Sequence, residues 1–210
     1  MPRQPRQLLH QSYYHIMARG NNKNIIFHKE DDYKYYLDLI KKYKKLHPFS
    51  LYHYCLMPNH VHLLVRTNKG TDFSNFMKKI NLSYFCYYRN HYGWTGHFWQ
   101  DRFKSQPVGK DNYFLQCGKY IELNPVRSGI TEKPSDYKFS SYLHYAEGKK
   151  NNLITLDMFY SKLGDTDRER QKKYRELVIG EMIENSYKNK VWGSRKQKYQ
   201  EARKVKYHST

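Results

Sequence analysis

The sequence predicts an α+β fold, an antiparallel sheet with helices mainly on one face. Three observations carry that expectation. Segments at 13–19, 51–57 and 60–66 have the alternating or short apolar character of strands. Two longer segments, from Asp31 to about His47 and from Thr71 past Phe85, repeat apolar residues at helical spacing. The two kinds follow one another as strand, helix, strand, strand, helix, strand, helix, an order suited to helices layered on a sheet.

Tyr13–Arg19 (YYHIMAR) is the first strand, ended by the turn-forming Gly20-Asn21-Asn22. Asp31 and Asp32 open a helix in which Tyr35, Tyr36, Leu39, Ile40 and Tyr43 recur on one side. Pro48, which cannot continue a helix, stops it. Leu51–Met57 and His60–Arg66 are strands around Pro58-Asn59, a tight turn or kink. Thr71 or Asp72 caps a second helix with Phe73, Phe76, Met77, Ile80, Tyr84 and Phe85 on its inner face. Residues 93–109 are loop-rich, with a short strand near Phe103–Val108. A third helix starts near Asp111, carries Phe114, Leu115, Tyr120 and Leu123, and ends close to Pro125. Residues 155–187 read as helical, and 188–207 hold eight Lys or Arg against the single acid Glu201. Such a run is either a solvated tail or a nucleic-acid arm. The expected division is one domain over 1–150 and a helical, basic C-terminal extension over 151–210.

Charge narrows the partners more than the fold. A formal net charge of +19 and a pI near 9.7 point to a polyanion, nucleic acid above an acidic membrane. No apolar run approaches the roughly 20 residues that span a bilayer, so no membrane partner is expected. The N-terminal MPRQPRQLLHQSYY lacks the apolar core of a signal peptide. Cys55, Cys86 and Cys117 are widely spaced and form no CxxC pattern, which suits free thiols in a reducing cytoplasm. The 22 tyrosines either fill half-buried positions or offer π-faces to unpaired bases. Composition does not choose between these two.

The chemistry begins at His60-Val61-His62, inside HYCLMPNHVHLLV (53–65). On a strand, side chains two apart share a face, so both imidazoles project together while Val61 turns into the core. Two neutral imidazoles on a rigid element form half of a divalent-metal site, or else are two structural, hydrogen-bonded histidines. Imidazole suits zinc, manganese, iron or copper better than magnesium. His53 does not keep the alternation across the Pro58 turn and is not expected to be a ligand. Tyr120 and Asn124 are spaced i, i+4 and share a helical face. If that face lies over the histidines, Asn124 offers a carboxamide oxygen and Tyr120 a phenol. A phenol, with a reference pKa near 10, is a weak nucleophile, and a metal on the attacked phosphate would compensate.

HYCLMPNHVHLLV, GHFWQDRFKSQPV (96–108), YIELNPVRSGI (120–130) and DYKFSSY (136–142), preceded by YHIMARGNN (14–22), occur in the order found in the single-tyrosine HUH transposases. The chain resembles that family over about residues 13–145, most closely its REP-associated tyrosine transposase branch. The resemblance implies a ferredoxin-like HUH fold. It implies that His60 and His62 are metal ligands, that Asn124 completes the set, and that Tyr120 is the nucleophile. It further implies a Mg2+ or Mn2+ cofactor, with water and phosphate oxygens filling the remaining positions. The family acts on single-stranded DNA, forming a 5′-phosphotyrosine and freeing a 3′-hydroxyl. Arg19, Asn21, Trp99, Gln100, Arg102, Lys104 and Arg127 are candidate DNA contacts, the cations for phosphate and the indole for stacking. Asn21 also suits a plain turn, and Trp99 and Phe103 equally suit core packing. Ser128, where the family often has Ala, and Phe139, where it often has Trp, are conservative departures.

The expected function is a strand transferase that cleaves and rejoins single-stranded DNA at palindromic hairpins, in the cytoplasm, as a monomer in preference to a homodimer. Two alternatives share features with it. A replication-initiator or relaxase-type HUH nuclease would use the same chemistry, but the compact size and the YIELNPVR block argue against it. A non-catalytic hairpin-binding protein would not need the intact His60, His62 and Tyr120.

Overall fold

Period-two alternation decides the sheet. The computed structural model describes residues 8–109 and 112–182. Strands β1 (Tyr13–Arg19), β2 (Phe49–Met57), β3 (His60–Thr67) and β4 (Lys104–Pro107) form one antiparallel sheet in the order β2-β3-β1-β4. Helix α1 (Glu30–Leu46) links β1 to β2, and α2 (Gly70–Tyr92) links β3 to β4. This is the ferredoxin-like split βαβ arrangement that the resemblance implied.

One face of the sheet presents Tyr14, Ile16 and Ala18 of β1, Tyr54 and Leu56 of β2, and Val61, Leu63 and Val65 of β3. These pack on Tyr36, Leu39 and Ile40 of α1 and on Phe73, Phe76, Met77, Ile80 and Tyr84 of α2. Each fully buried Val, Leu, Ile, Phe or Met among them contributes about 1.5–3 kcal/mol of transfer free energy. The two long helices therefore share one face, as expected. The opposite face is covered by α3 (Asn112–Glu122), through Phe114, Cys117 and Ile121 against Tyr13, Tyr52, Cys55, Met57 and Leu64. A bulge between Leu51 and His53 makes this possible. The extra residue brings both Tyr52 and His53 to the α3 side before the alternation resumes. Residues 139–141 run along the outer edge of β2, with Leu56 N donating to Phe139 O and Ser141 N to Tyr54 O.

The helix boundaries differ from the sequence expectation where packing intervenes. Neither Thr71 nor Asp72 caps α2: the helix already includes Gly70, and its cap Lys69 makes no side-chain cap bond. Gly70 sits against the Leu8 carbonyl, where a Cβ would collide, so the backbone and not a side chain sets this terminus. The third helix ends at Glu122, and a separate short turn, α4 (Asn124–Arg127), follows Leu123 with Pro125 in its first turn. Its expected start at Asp111 lies outside the described residues.

The C-terminal part continues as α5 (Tyr142–Glu147), α6 (Met158–Ser161) and α7, helical over 167–182. Gly164 lies in the turn that separates the last two, so the run expected over 155–187 is two helices up to residue 182. A third apolar cluster joins Leu123 to Tyr142, Tyr145, Ala146, Tyr160, Tyr174 and Val178. Residues up to 182 thus pack on the body of the fold. The basic stretch 188–207 lies outside the described residues.

Candidate active site

His60 and His62 project from β3 on the α3 side, with ring centroids 4.7 Å apart, while Val61 is buried in the main core. Each has its Nδ1 engaged. His60 Nδ1 lies 2.5 Å from Asn59 Oδ1, and His62 Nδ1 lies 2.8 Å from Nε2 of His15. His15 reaches it from β1, whose register sets Met17 opposite His62 and Arg19 opposite His60. The His15 and His62 rings stack at 5.0 Å. Nε2 of His62 is buried and without a partner. An orphaned buried nitrogen is costly unless something coordinates it, so this atom fits a metal ligand. The bonds to His15 and to Asn59 already fix the two rings.

Electrostatics keeps these imidazoles neutral, the form that binds metals. Burial pushes His60 down to about 4, with the Arg19 charge adding to it. Burial also holds His62 well below the usual histidine range, reinforced by His15, His60 and Arg19. His15 is lowered to about 4 by burial. Its Nε2 faces His62 and is not available as a third ligand. Among the described residues no three His, Cys, Asp or Glu side chains gather in metal-binding geometry. A complete site therefore calls on another ligand type.

The helical segments over this face bring up the candidates. The Tyr120 ring is 44% exposed and lies 6.1 Å from the His15 ring and 6.4 Å from that of His62. The Arg127 guanidinium covers it at 4.5 Å, and Arg127 Nη1 donates to the Tyr120 carbonyl at 3.0 Å. Asn124 donates its amide to the carbonyls of Tyr120 (2.9 Å) and Ile121 (3.1 Å). Both of those bonds use the amide nitrogen, which leaves the carboxamide oxygen available as an acceptor or ligand atom. Across the break at Leu123, Asn124 thus stays joined to the last turn of α3 through the Tyr120 and Ile121 carbonyls.

The predicted DNA contacts fall into four places. Arg19, Gln100, Arg102 and Lys104 line one cleft of about 200 Å³ with Met17 and Asp101. A neighbouring hollow of about 430 Å³ is lined by His15, Met17, Lys104, Ser105 and Gln106. Trp99 is not in this group: it packs against the main core beside Tyr84 and Phe98, and its indole N–H donates to Asn81 O at 3.0 Å. Asn21 lies in the 3-10 turn after β1, its N–H donating to Phe98 O. Arg127 stands against Tyr120, its Nη2 paired with Glu181 of α7 at 2.6 Å. Sequence reasoning missed His15, although the parity of YYHIMAR was a usable signal for it. It also missed Asn59, and it passed over His53.

A pair of imidazoles on the third strand facing a tyrosine on a helix, within a ferredoxin-like sheet, defines the single-tyrosine HUH class. The chain belongs to the family of IS200-like transposases, whose pattern matches residues 8–124 and so takes in all four strands, His60, His62, Tyr120 and Asn124. The REP-associated tyrosine transposase of Escherichia coli K12 is 27% identical over 106 residues, covering 49% of this chain and 60% of that protein. A putative REP-associated tyrosine transposase of Haemophilus influenzae is 27% identical over 107 residues, covering 46% and 60%. The chain thus spans about 60% of the length of the curated relatives it matches. The fold is similar to that of a REP-associated tyrosine transposase solved bound to a REP hairpin. That likeness has a TM-score of 0.59 at 22% identity and covers 75% of this chain and 93% of the other.

Proposed function

We propose that this protein cleaves and rejoins single-stranded DNA at hairpin-forming palindromes, with Tyr120 as the nucleophile. The observation that carries the reading is the approach of Tyr120 to the buried, neutral histidine pair. Its phenolic oxygen attacks the scissile phosphorus, the bond to the 3′-oxygen breaks, and a 5′-phosphotyrosine forms. The phenol gives up its proton, and the departing 3′-oxygen ends protonated as a free hydroxyl. Attack by a 3′-hydroxyl on the phosphotyrosine reverses the step and rejoins a strand.

His60 and His62 through Nε2, with the Asn124 carboxamide oxygen, would hold Mg2+ or Mn2+. When bound, the ion supplies Lewis-acid polarisation of the phosphate. Arg127, stacked on Tyr120, orients the ring and adds positive charge where the phosphate must approach. Arg19, Gln100, Arg102 and Lys104 contact the strand beside the histidines, the cations neutralising phosphates. The partner is a single strand folded as a hairpin, the ligand named for the solved relative. The packing of α3 on β2 and β3 of its own chain, and its bond to its own α7, bring Tyr120 to histidines of the same copy and support the monomer reading.

The test offers a labelled single-stranded hairpin oligonucleotide to wild type and to Tyr120→Phe, with Mn2+ and with Mg2+. A covalent protein–DNA adduct is expected with wild type alone. Binding without an adduct under either metal would leave a hairpin-binding protein as the surviving reading.

A further inference from the structure

Beneath the helix that carries Tyr120 lies a group of titratable side chains that no step of the proposed reaction uses. Glu122, at the end of α3, is fully buried. Its Oε1 accepts from His53 Nδ1 at 2.8 Å and from Ser141 Oγ at 2.5 Å, and its Oε2 accepts from Tyr174 Oη at 2.7 Å. The other nitrogen of His53, Nε2, donates to Asp157 Oδ2 at 3.2 Å. Asp157 also caps α6, its Oδ1 accepting from Phe159 N at 2.7 Å. Carboxylates only accept, so His53 donates from both nitrogens and is an imidazolium between two anions. Burial by itself would lower the pKa of His53; the bonds to Asp157 and Glu122 outweigh it and raise the group to about 9.

Tyr145 stacks on the His53 ring at 4.5 Å. Gly118, one turn before Glu122, meets the same ring so closely that a Cβ there would lie 2.6 Å from Nε2. A buried ion cluster is an inefficient source of stability, because desolvating each ion costs several kcal/mol that apolar packing would not. It differs from apolar packing in being directional. Apolar contacts tolerate repacking of a helix, whereas three bonds to one carboxylate hold its rotation and its axial position. That carboxylate is two residues from Tyr120. The partners come from β2, from the start of α5, and from the C-terminal segment through Asp157 and Tyr174.

We propose that His53 is a positioning residue, clamped between Glu122 and Asp157 so as to fix the register of α3 and hence the placement of Tyr120 against His60 and His62. The C-terminal segment thereby becomes part of the nucleophile's support. The inference rests on the reading of Tyr120 as nucleophile, and its test separates the two.

The test uses the full chain as wild type, Asp157→Asn and His53→Asn. Asn at 157 retains the helix cap, so this variant tests the clamp even if His53→Asn does not fold. A labelled single-stranded hairpin oligonucleotide with Mn2+ gives the single-turnover rate of adduct formation, and its anisotropy gives the hairpin Kd. With 3-fluorotyrosine placed at position 120, broadening of its 19F signal by Mn2+ reports the ring's distance from the metal without any chemistry. The adduct rate is expected to fall about 10- to 100-fold while the Kd stays within about twofold, since small misplacement of a reacting group is costly. The 19F broadening is expected to weaken in parallel. Unchanged rate and broadening in Asp157→Asn would overturn the proposal, and so would a Kd that worsens together with the rate. If wild type forms no adduct, the nucleophile reading falls, and the broadening comparison by itself decides the positioning role.

Discussion

His15 spends its Nε2 on His62, and in doing so it sets the tautomer and tilt of a ring whose other nitrogen is buried without a partner. Replacing it by alanine leaves His62 free to rotate away from the geometry its neighbours impose. His15→Ala is expected to weaken Mn2+ binding about 10- to 100-fold, the usual cost of losing the hydrogen bond that orients a ligating imidazole. An EPR titration of free Mn2+ measures it, and an unchanged affinity would remove His15 from the site. Of the residues proposed for this centre, His60 and His62 were legible as a pair because two along a strand share a face. Tyr120 and Asn124, at i, i+4 spacing, were singled out by the family resemblance and not by spacing alone. His15 and Asn59 were not legible, because their importance depends on which strand lies beside β3 and how its turn closes.

At the scale of elements, α3 is the part most tightly specified. Its inner face meets the sheet through Phe114, Cys117 and Ile121, and Gly118 lets it rest directly on the His53 ring. A methyl group there has nowhere to go without moving the ring or the helix. Gly118→Ala is expected to destabilise the protein by about 1–3 kcal/mol, the cost of overpacking, even though alanine is the better helix former. Urea unfolding followed by circular dichroism checks the sign; a more stable variant would mean that α3 can lift away freely. The helices themselves were readable because their apolar periodicity is strong. Their ends were not, since Gly70 and Leu123 are placed by contacts with Leu8 and with the C-terminal cluster.

Over the whole molecule, two long-range features make separate predictions. His53 faces Glu122 from α3 and Asp157 ahead of α6, with Ser141, Tyr145 and Tyr174 closing the cluster. Its folded pKa of about 9 lies above the unfolded value of 6.5. The stability it contributes is therefore fully present below about pH 6.5 and lost as pH rises through 9. On the order of 3 kcal/mol is at stake. Urea midpoints between pH 6 and 10 should fall for wild type more steeply than for His53→Gln, and parallel curves would contradict the charged form. The net charge of +19 predicts a second outcome. Hairpin affinity should drop steeply with added salt, linearly on a log–log plot. A flat response would mean that base contacts and stacking dominate.

The sequence by itself determined the order of strands and helices, the face shared by His60 and His62, and the i, i+4 spacing of Tyr120 and Asn124. Those follow from the periods of strand and helix, which act over a few residues and need no knowledge of the rest of the chain. Only the tertiary structure decided that His15 meets His62, that Trp99 packs half-buried against the core, and that His53 joins Glu122 and Asp157. These contacts close separations of 69 and 104 residues in the last case. They depend on a bulge in β2, on strand register, and on how the C-terminal helices pack, none of which leaves a periodic trace in the sequence.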